Sequence, residues 1–208
     1  MVQDTKLTFS REELDVMMNS RFFLVKNDAT QKIVQLFGEL EKELLSSVSV
    51  FPFLMSNELQ IKEKGKIFRG ENYRLMPYLI LDYPRVFNSQ TVFAFRSMFR
   101  WGHEFSFTLH LQGESLELFR KNIQNNLTVL NGHQFYFCVN NTPWEYTFDE
   151  SNYIRFDTML EERNDELQKI ILENNFIKLS RKLDLADFEK VISFGVDTFE
   201  SLMTALKN

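Results

Sequence analysis

Between Thr91 and Gln112 the chain alternates strictly, and that pattern constrains the fold more than any other stretch. Phe93, Phe95, Phe99 and Trp101 take odd positions, while Ala94, Arg96, Met98 and Arg100 take even ones. Past Gly102 the odd set continues as Phe105, Phe107, Leu109 and Leu111, against Ser106, Thr108 and His110. A period of two is the period of a strand, so the stretch reads as two strands, each with one apolar face. A two-residue turn at Gly102-His103 would set Phe99 opposite Ser106, which a buried face resists. A three-residue loop of Gly102, His103 and Glu104 matches the faces instead. It pairs Trp101 with Phe105, Phe99 with Phe107, Ser97 with Leu109 and Phe95 with Leu111.

The same register gathers polar groups on the second face, with Arg100 beside Ser106, Met98 beside Thr108 and Arg96 beside His110. The wider segment has no lysine between Lys66 and Lys121, yet it holds Arg69, Arg74, Arg85, Arg96, Arg100 and Arg120. Arginine's planar fork suits buried or bidentate pairing with carboxylates, whereas lysine suits open solvent. Two readings follow. Arg96, Arg100 and His110, with Tyr83 and Asp82, form an anion or carboxylate site at the mouth of the sheet. Or the same residues form a buried ion-pair network, Arg96 or Arg100 being held by Asp82 or Glu104.

Elsewhere the period changes. Ser10 and Glu13 have capping-box spacing ahead of Leu14, Met17 and Met18, which predicts a first helix. A second helix is expected from Ala29 to Ser46, on a stripe of Ile33, Leu36, Phe37, Leu40, Leu44 and Leu45. From Val50 to Gly113 short aromatic and β-branched runs predict strands, beginning with VSVFPFLM. A helix from Ser115 to Asn126, strands in HQFYFCV and NYIRFD, a helix from Leu160 to Leu172 and a strand in FIKLSRKL come next. The last helix is expected from Asp187 to Leu206, capped by Asp184 or Asp187, with Phe188, Val191, Phe199 and Leu202 buried. The expected fold is α+β: a largely antiparallel sheet of about 5–7 strands with N-terminal and C-terminal helices packed on it. One domain is expected over residues 1–208, helical over about 9–47, sheet over about 50–157 and helical again over about 158–208.

Composition narrows function mainly by exclusion. The net charge of −5 argues against a nucleic-acid binder, which needs a basic face. No apolar run is long enough to span a membrane, and the first residues carry acids rather than an apolar leader, so a cytoplasmic location is expected. The single cysteine, Cys138, then reads as a reduced buried thiol. No G-x-S-x-G elbow, P-loop or G-x-G-x-x-G fingerprint occurs, and no metal-ligand spacing stands out. The reading is therefore of a non-enzymatic protein, with no cofactor and no metal, that binds a protein partner or small ligand and can form a homo-oligomer. The alternative is an enzyme or sensor for a small anionic metabolite, using the Arg/His cluster.

The stretches GENYRLMPYLILDYPRVF and RSMFRWGHEFSFTLHLQG resemble a family of uncharacterised bacterial proteins of about this length. The resemblance rests on Glu71-Asn72-Tyr73, Leu81 through Arg85, and Met98-Phe99 with Trp101-Gly102. It implies no activity and no site residues, but it falls on the segment that the register argument singles out.

Overall fold

The capping box forms as its spacing predicts: the Glu13 N–H donates to Ser10 Oγ at 3.1 Å and the Ser10 N–H donates to Glu13 Oε2 at 2.6 Å. It opens α1, Arg11–Met18. In this computed structural model, which describes residues 7–56, 59, 61 and 64–207, Asn19 then starts a second helix by accepting from the Phe22 N–H at 3.0 Å. That helix, α2, runs Ser20–Val48, beginning nine residues before the Ala29 expected from its apolar stripe. The reason is that periodicity detects only the half of a helix that something covers. Phe37, Leu40 and Leu44 are fully buried, whereas Phe22 to Val25 are exposed.

The sheet has seven strands: β1 Lys66–Tyr73, β2 Met76–Phe87, β3 Thr91–Arg100, β4 Glu104–Gly113, β5 Tyr136–Cys138, β6 Tyr153–Arg155 and β7 Phe176–Asp184. Their order is β1-β2-β3-β4-β7-β5-β6, with every pairing antiparallel. The remaining helices are α3 Glu114–Asn125, α4 Phe156–Glu162, α5 Asn164–Glu173 and α6 Val191–Ala205. The α+β class and the antiparallel sheet are as expected.

Four expectations need correction. The VSVFPFLM run forms no strand: Pro52, with its fixed φ and missing N–H, starts a 3-10 turn over Pro52–Met55. The helix expected over Leu160 to Leu172 is two helices that meet at Arg163. Asp184 does cap, accepting from the Ala186 N–H at 2.8 Å, but a 3-10 segment over Leu185–Lys190 follows and leaves Phe188 exposed. The hairpin has a three-residue loop, but of Trp101, Gly102 and His103, one residue earlier than expected. It pairs Phe99 with Phe105, Phe95 with Leu109, Arg96 with Thr108 and Ala94 with His110. The His103 N–H donates to the Arg100 carbonyl at 3.2 Å and Gly102 takes a φ of +71°, so glycine sits where the turn needs a left-handed residue. Moving the loop by one residue slides each pairing by two, so both faces keep their residues.

On the apolar face, α2, α3 and α6 cover the sheet. Phe93, Phe95, Phe105 and Phe107 are at most 1% exposed. The Phe95 ring meets Phe199 of α6 edge-on at 5.2 Å and Phe107 meets Phe194 at 5.6 Å. Each fully buried Phe contributes about 2–3 kcal/mol of transfer free energy. Gly195 lets α6 come this close, since a Cβ there would lie 2.8 Å from the Phe107 ring.

The corner between β4 and α3 is held by Ser115, whose N–H donates to Thr91 Oγ1 at 2.9 Å and whose hydroxyl donates to the Gln112 carbonyl at 3.1 Å. Gly113 makes the turn at φ +64°, and a Cβ there would fall 2.0 Å from the Gln90 carbonyl oxygen. Gly113→Ala therefore combines left-handed strain with a backbone clash and is expected to cost roughly 2–3 kcal/mol. Urea unfolding checks this, and an unchanged midpoint would refute it.

Candidate functional site

The even-numbered side chains of β3, β4 and β7 project from the face away from the helices. A long segment, Val139 to Asn152, joins β5 to β6 and folds over them. Asn152, fully buried, fixes its path by donating from Nδ2 to the Thr147 carbonyl at 2.8 Å. Glu145 fastens it to the β1–β2 turn. Its carboxylate accepts from the Tyr73 hydroxyl, from the Thr147 hydroxyl at 2.7 Å and from Arg74 Nη2 at 3.0 Å. Burial alone would raise the Glu145 pKa, but these donors outweigh it and hold the carboxyl at about 2.

Beneath the segment, Arg96 makes a bidentate pair with Asp82, Nε to Oδ1 at 2.7 Å and Nη2 to Oδ2 at 2.8 Å. Its remaining nitrogen donates to the Tyr146 hydroxyl. Burial works against the charge of Arg96, but Asp82 and Tyr146 more than offset it and raise its pKa. Arg100 is 3% exposed and its Nε donates to Glu104 Oε1 at 2.8 Å, with its guanidinium 5.7 Å from the Tyr73 ring centre. Four of the five predicted site residues thus lie on this face, and the two arginines hold carboxylates of the protein itself. Tyr83 belongs elsewhere: at an odd position of β2 it points into the apolar core, beside Leu81 and Gly65. Strand alternation alone separates it from Asp82.

His110 sits between Trp144 and Phe176, both meeting it edge-on, at 5.5 and 6.2 Å. Burial, reinforced by the positive charges of Lys178 and Arg96, lowers its pKa to about 3, so the ring is neutral at neutral pH. Its Nε2 has no hydrogen-bond partner among the described residues. Trp144 is the contact of the segment with this ring, although half of its own surface stays exposed.

Residues that the sequence reading left out complete the cluster. Lys178 of β7 is fully buried and donates to the carbonyls of Pro143 at 2.8 Å and Glu145 at 2.6 Å. Its ammonium lies 4.4 Å from the Tyr146 ring centre and 5.1 Å from that of Tyr153. Burial brings its pKa down to about 8. Burial likewise raises the Cys138 thiol and the Tyr153 phenol, so neither ionises readily. The signal for Lys178 was present in the alternation of Lys178, Ser180 and Lys182 along FIKLSRKL, which places them on the polar face once β7 is paired with β4.

Lys178 gives a pH prediction with a defined sign. Its folded pKa of about 8 lies below the ordinary 10.5, so the unfolded chain holds the proton more tightly. Stability attributable to this residue therefore rises between pH 8 and 10.5, by on the order of 3 kcal/mol. Thermal melts of the protein and of Lys178→Met across that range should diverge; parallel curves would refute the assignment.

A second feature lies at the other end of the molecule. Every residue from Leu7 to Val25 is exposed. These residues include Leu7, Phe9, Leu14, Val16, Met17, Met18, Phe22, Phe23, Leu24 and Val25, from 39% exposed at Leu14 to 90% at Leu7. The body of the protein begins to cover the chain at Lys26, whose Nζ meets Glu71 Oε2 of β1 at 3.0 Å. The first turns of α2 and all of α1 thus overhang the edge of the sheet. A shallow groove of about 610 Å³ along α1 is lined by Phe9, Ser10, Glu12, Glu13, Val16 and Met17.

Fold and surface together define an α+β protein with one helix-covered sheet face, one face sealed by its own connecting segment, and a projecting apolar helical arm. Comparison with known protein families, with curated proteins and with solved structures finds no match to this chain. Among the described residues no group of three His, Cys, Asp or Glu side chains is placed to hold a metal ion, and no helix is long and apolar enough to cross a membrane.

Proposed function

We propose that this chain is a non-enzymatic cytoplasmic binding protein that engages a protein partner through its N-terminal helical arm. The observation that carries the reading is the unbroken exposure of Leu7 to Val25, with ten large apolar side chains on it. A soluble monomer rarely leaves a contiguous apolar patch larger than about 300–600 Å² uncovered, and such patches mark interaction sites. A capped amphipathic helix presented at an edge is also a common way to meet a protein partner.

The polar face supports the same reading from the opposite side. An incoming anion would have to displace Asp82 from Arg96 and Glu104 from Arg100, and the segment from Val139 to Asn152 lies in its way. The buried, neutral cluster of His110, Cys138 and Tyr153 supplies neither a charged ligand clamp nor an activated nucleophile.

The test is the size of the native complex. In extract from the source cells, the intact chain should migrate as an assembly larger than one chain. A Phe22→Ser/Phe23→Ser chain should migrate as a single chain, with its far-UV circular dichroism unchanged because neither ring packs into the core. If the intact chain itself migrates alone, the reading is wrong.

A further inference from the structure

Given an arm that binds protein, its surface also says which protein. We infer that the partner is a second copy of this chain, with the two arms packed antiparallel about a two-fold axis near Val16 and Met17. This inference rests on the binding role proposed above and adds the identity of the partner.

Area is the first argument. The exposed apolar side chains from Leu7 to Val25 offer on the order of 1,000 Å² per copy, against about 800 Å² per partner in a standard stable interface. Self-pairing of the arm therefore supplies a large part of such an interface from the apolar side chains that share the contact face.

Charge is the second. α1 carries Arg11 against Glu12, Glu13 and Asp15, whereas the start of α2, Ser20 to Asn27, carries Arg21 and Lys26 and no acid. Most of these charges are already engaged. Arg11 faces Asp15 at 3.7 Å, Glu13 serves the capping box, and Lys26 pairs with Glu71. Glu12 on α1 and Arg21 on α2 remain without a partner among the described residues. In an isologous dimer each contact occurs twice, residue i on j and j on i. Antiparallel arms set Glu12 of each copy against Arg21 of the other, one pair on each side of the axis. A parallel arrangement would set Glu12 on Glu12 and Arg21 on Arg21.

Shape is the third. The groove along α1 combines the apolar side chains of Phe9, Val16 and Met17 with the acidic Glu12 and Glu13. The antiparallel arrangement delivers Phe22 and Phe23 of the other copy to it, with Arg21 beside Glu12. Those two rings already pack edge to face at 5.3 Å, forming one knob.

Light scattering of the purified full-length chain should give twice the mass of one chain, and Phe22→Ser/Phe23→Ser should give the mass of one. Glu12→Arg and Arg21→Glu should each weaken the dimer at least tenfold. An equimolar mixture of these two variants should form heterodimers, because both contacts then match again. Three outcomes overturn the inference: a purified chain that is monomeric at all concentrations, charge variants that dimerise as well as the parent, or a mixture that stays monomeric. Should the purified chain be monomeric while the source extract still shows an arm-dependent assembly, the second copy is excluded and another protein is the partner. If both show a single chain, the binding role falls as well.

Discussion

Replacing Asp82 with Asn is expected to lower the unfolding free energy by roughly 3–5 kcal/mol, the usual cost of leaving a buried charge without its partner. The Asp82 side chain is 2% exposed and that of Arg96 is 13% exposed, so water does little to solvate the guanidinium once the carboxylate is gone. The shape of the site survives the change and only the charge is lost, which isolates the electrostatic cost. In melting temperature this amounts to about 10 °C for a chain of this size. The paired change Asp82→Leu with Arg96→Met removes both charges and should recover more than half of the loss. The Tyr146 hydroxyl would still lack its partner, at about 1 kcal/mol. Urea unfolding of the three proteins decides the matter: a single Asn variant within about 1 kcal/mol of the parent would mean that the pair is effectively solvated.

Acid should act through His110. Its folded pKa of about 3 lies below the ordinary 6.5, so as pH falls through this window the unfolded chain takes up a proton that the folded chain refuses. The stability that this residue contributes is complete above pH 6.5 and is lost toward pH 3. The slope is at most about 1.4 kcal/mol per pH unit, on the order of 5 kcal/mol across the window. Carboxylates paired in the folded state lose stability over part of the same range, so the informative quantity is a difference. The parent should lose stability faster than His110→Leu between pH 6.5 and 4.5, above the range where most carboxylates titrate. Superimposable pH profiles would show that the imidazole is protonated in the folded protein, against the geometry of Lys178 and Arg96 beside it.

How far the sequence could be read depended on whether a residue's neighbours were local. The alternation of Phe93 through Leu111 sorted the hairpin faces correctly because parity survives a slip of two. It missed the loop by one residue because the two placements of a three-residue loop differ only in whether Glu104 turns or pairs with Arg100. The Arg96–Asp82 contact was among the pairings considered, since both residues lie in one lysine-free segment. Lys178, Tyr146 and Glu145 were invisible as a group because strand pairing and the path of the 139–152 segment bring them to Arg96 from far along the chain. The exposed start of α2 was missed for another reason: without a covering surface a helix leaves no periodic stripe, and Phe22 to Val25 read as an apolar run without direction.

The order of the strands has a consequence for how the protein is made. β7, fifth in the order of the sheet but the last strand to be synthesised, is the strand that joins the β1–β4 meander to β5 and β6. About 60 residues separate the end of β4 from the start of β7, a delay on the order of 3–12 s at ordinary translation rates. During that interval β4 presents a free edge, and α6, which will cover Phe95 and Phe107, has not yet been made. The nascent chain thus carries an open, phenylalanine-rich strand on the ribosome, which makes this interval its greatest exposure to chaperones and to pairing with the wrong chain.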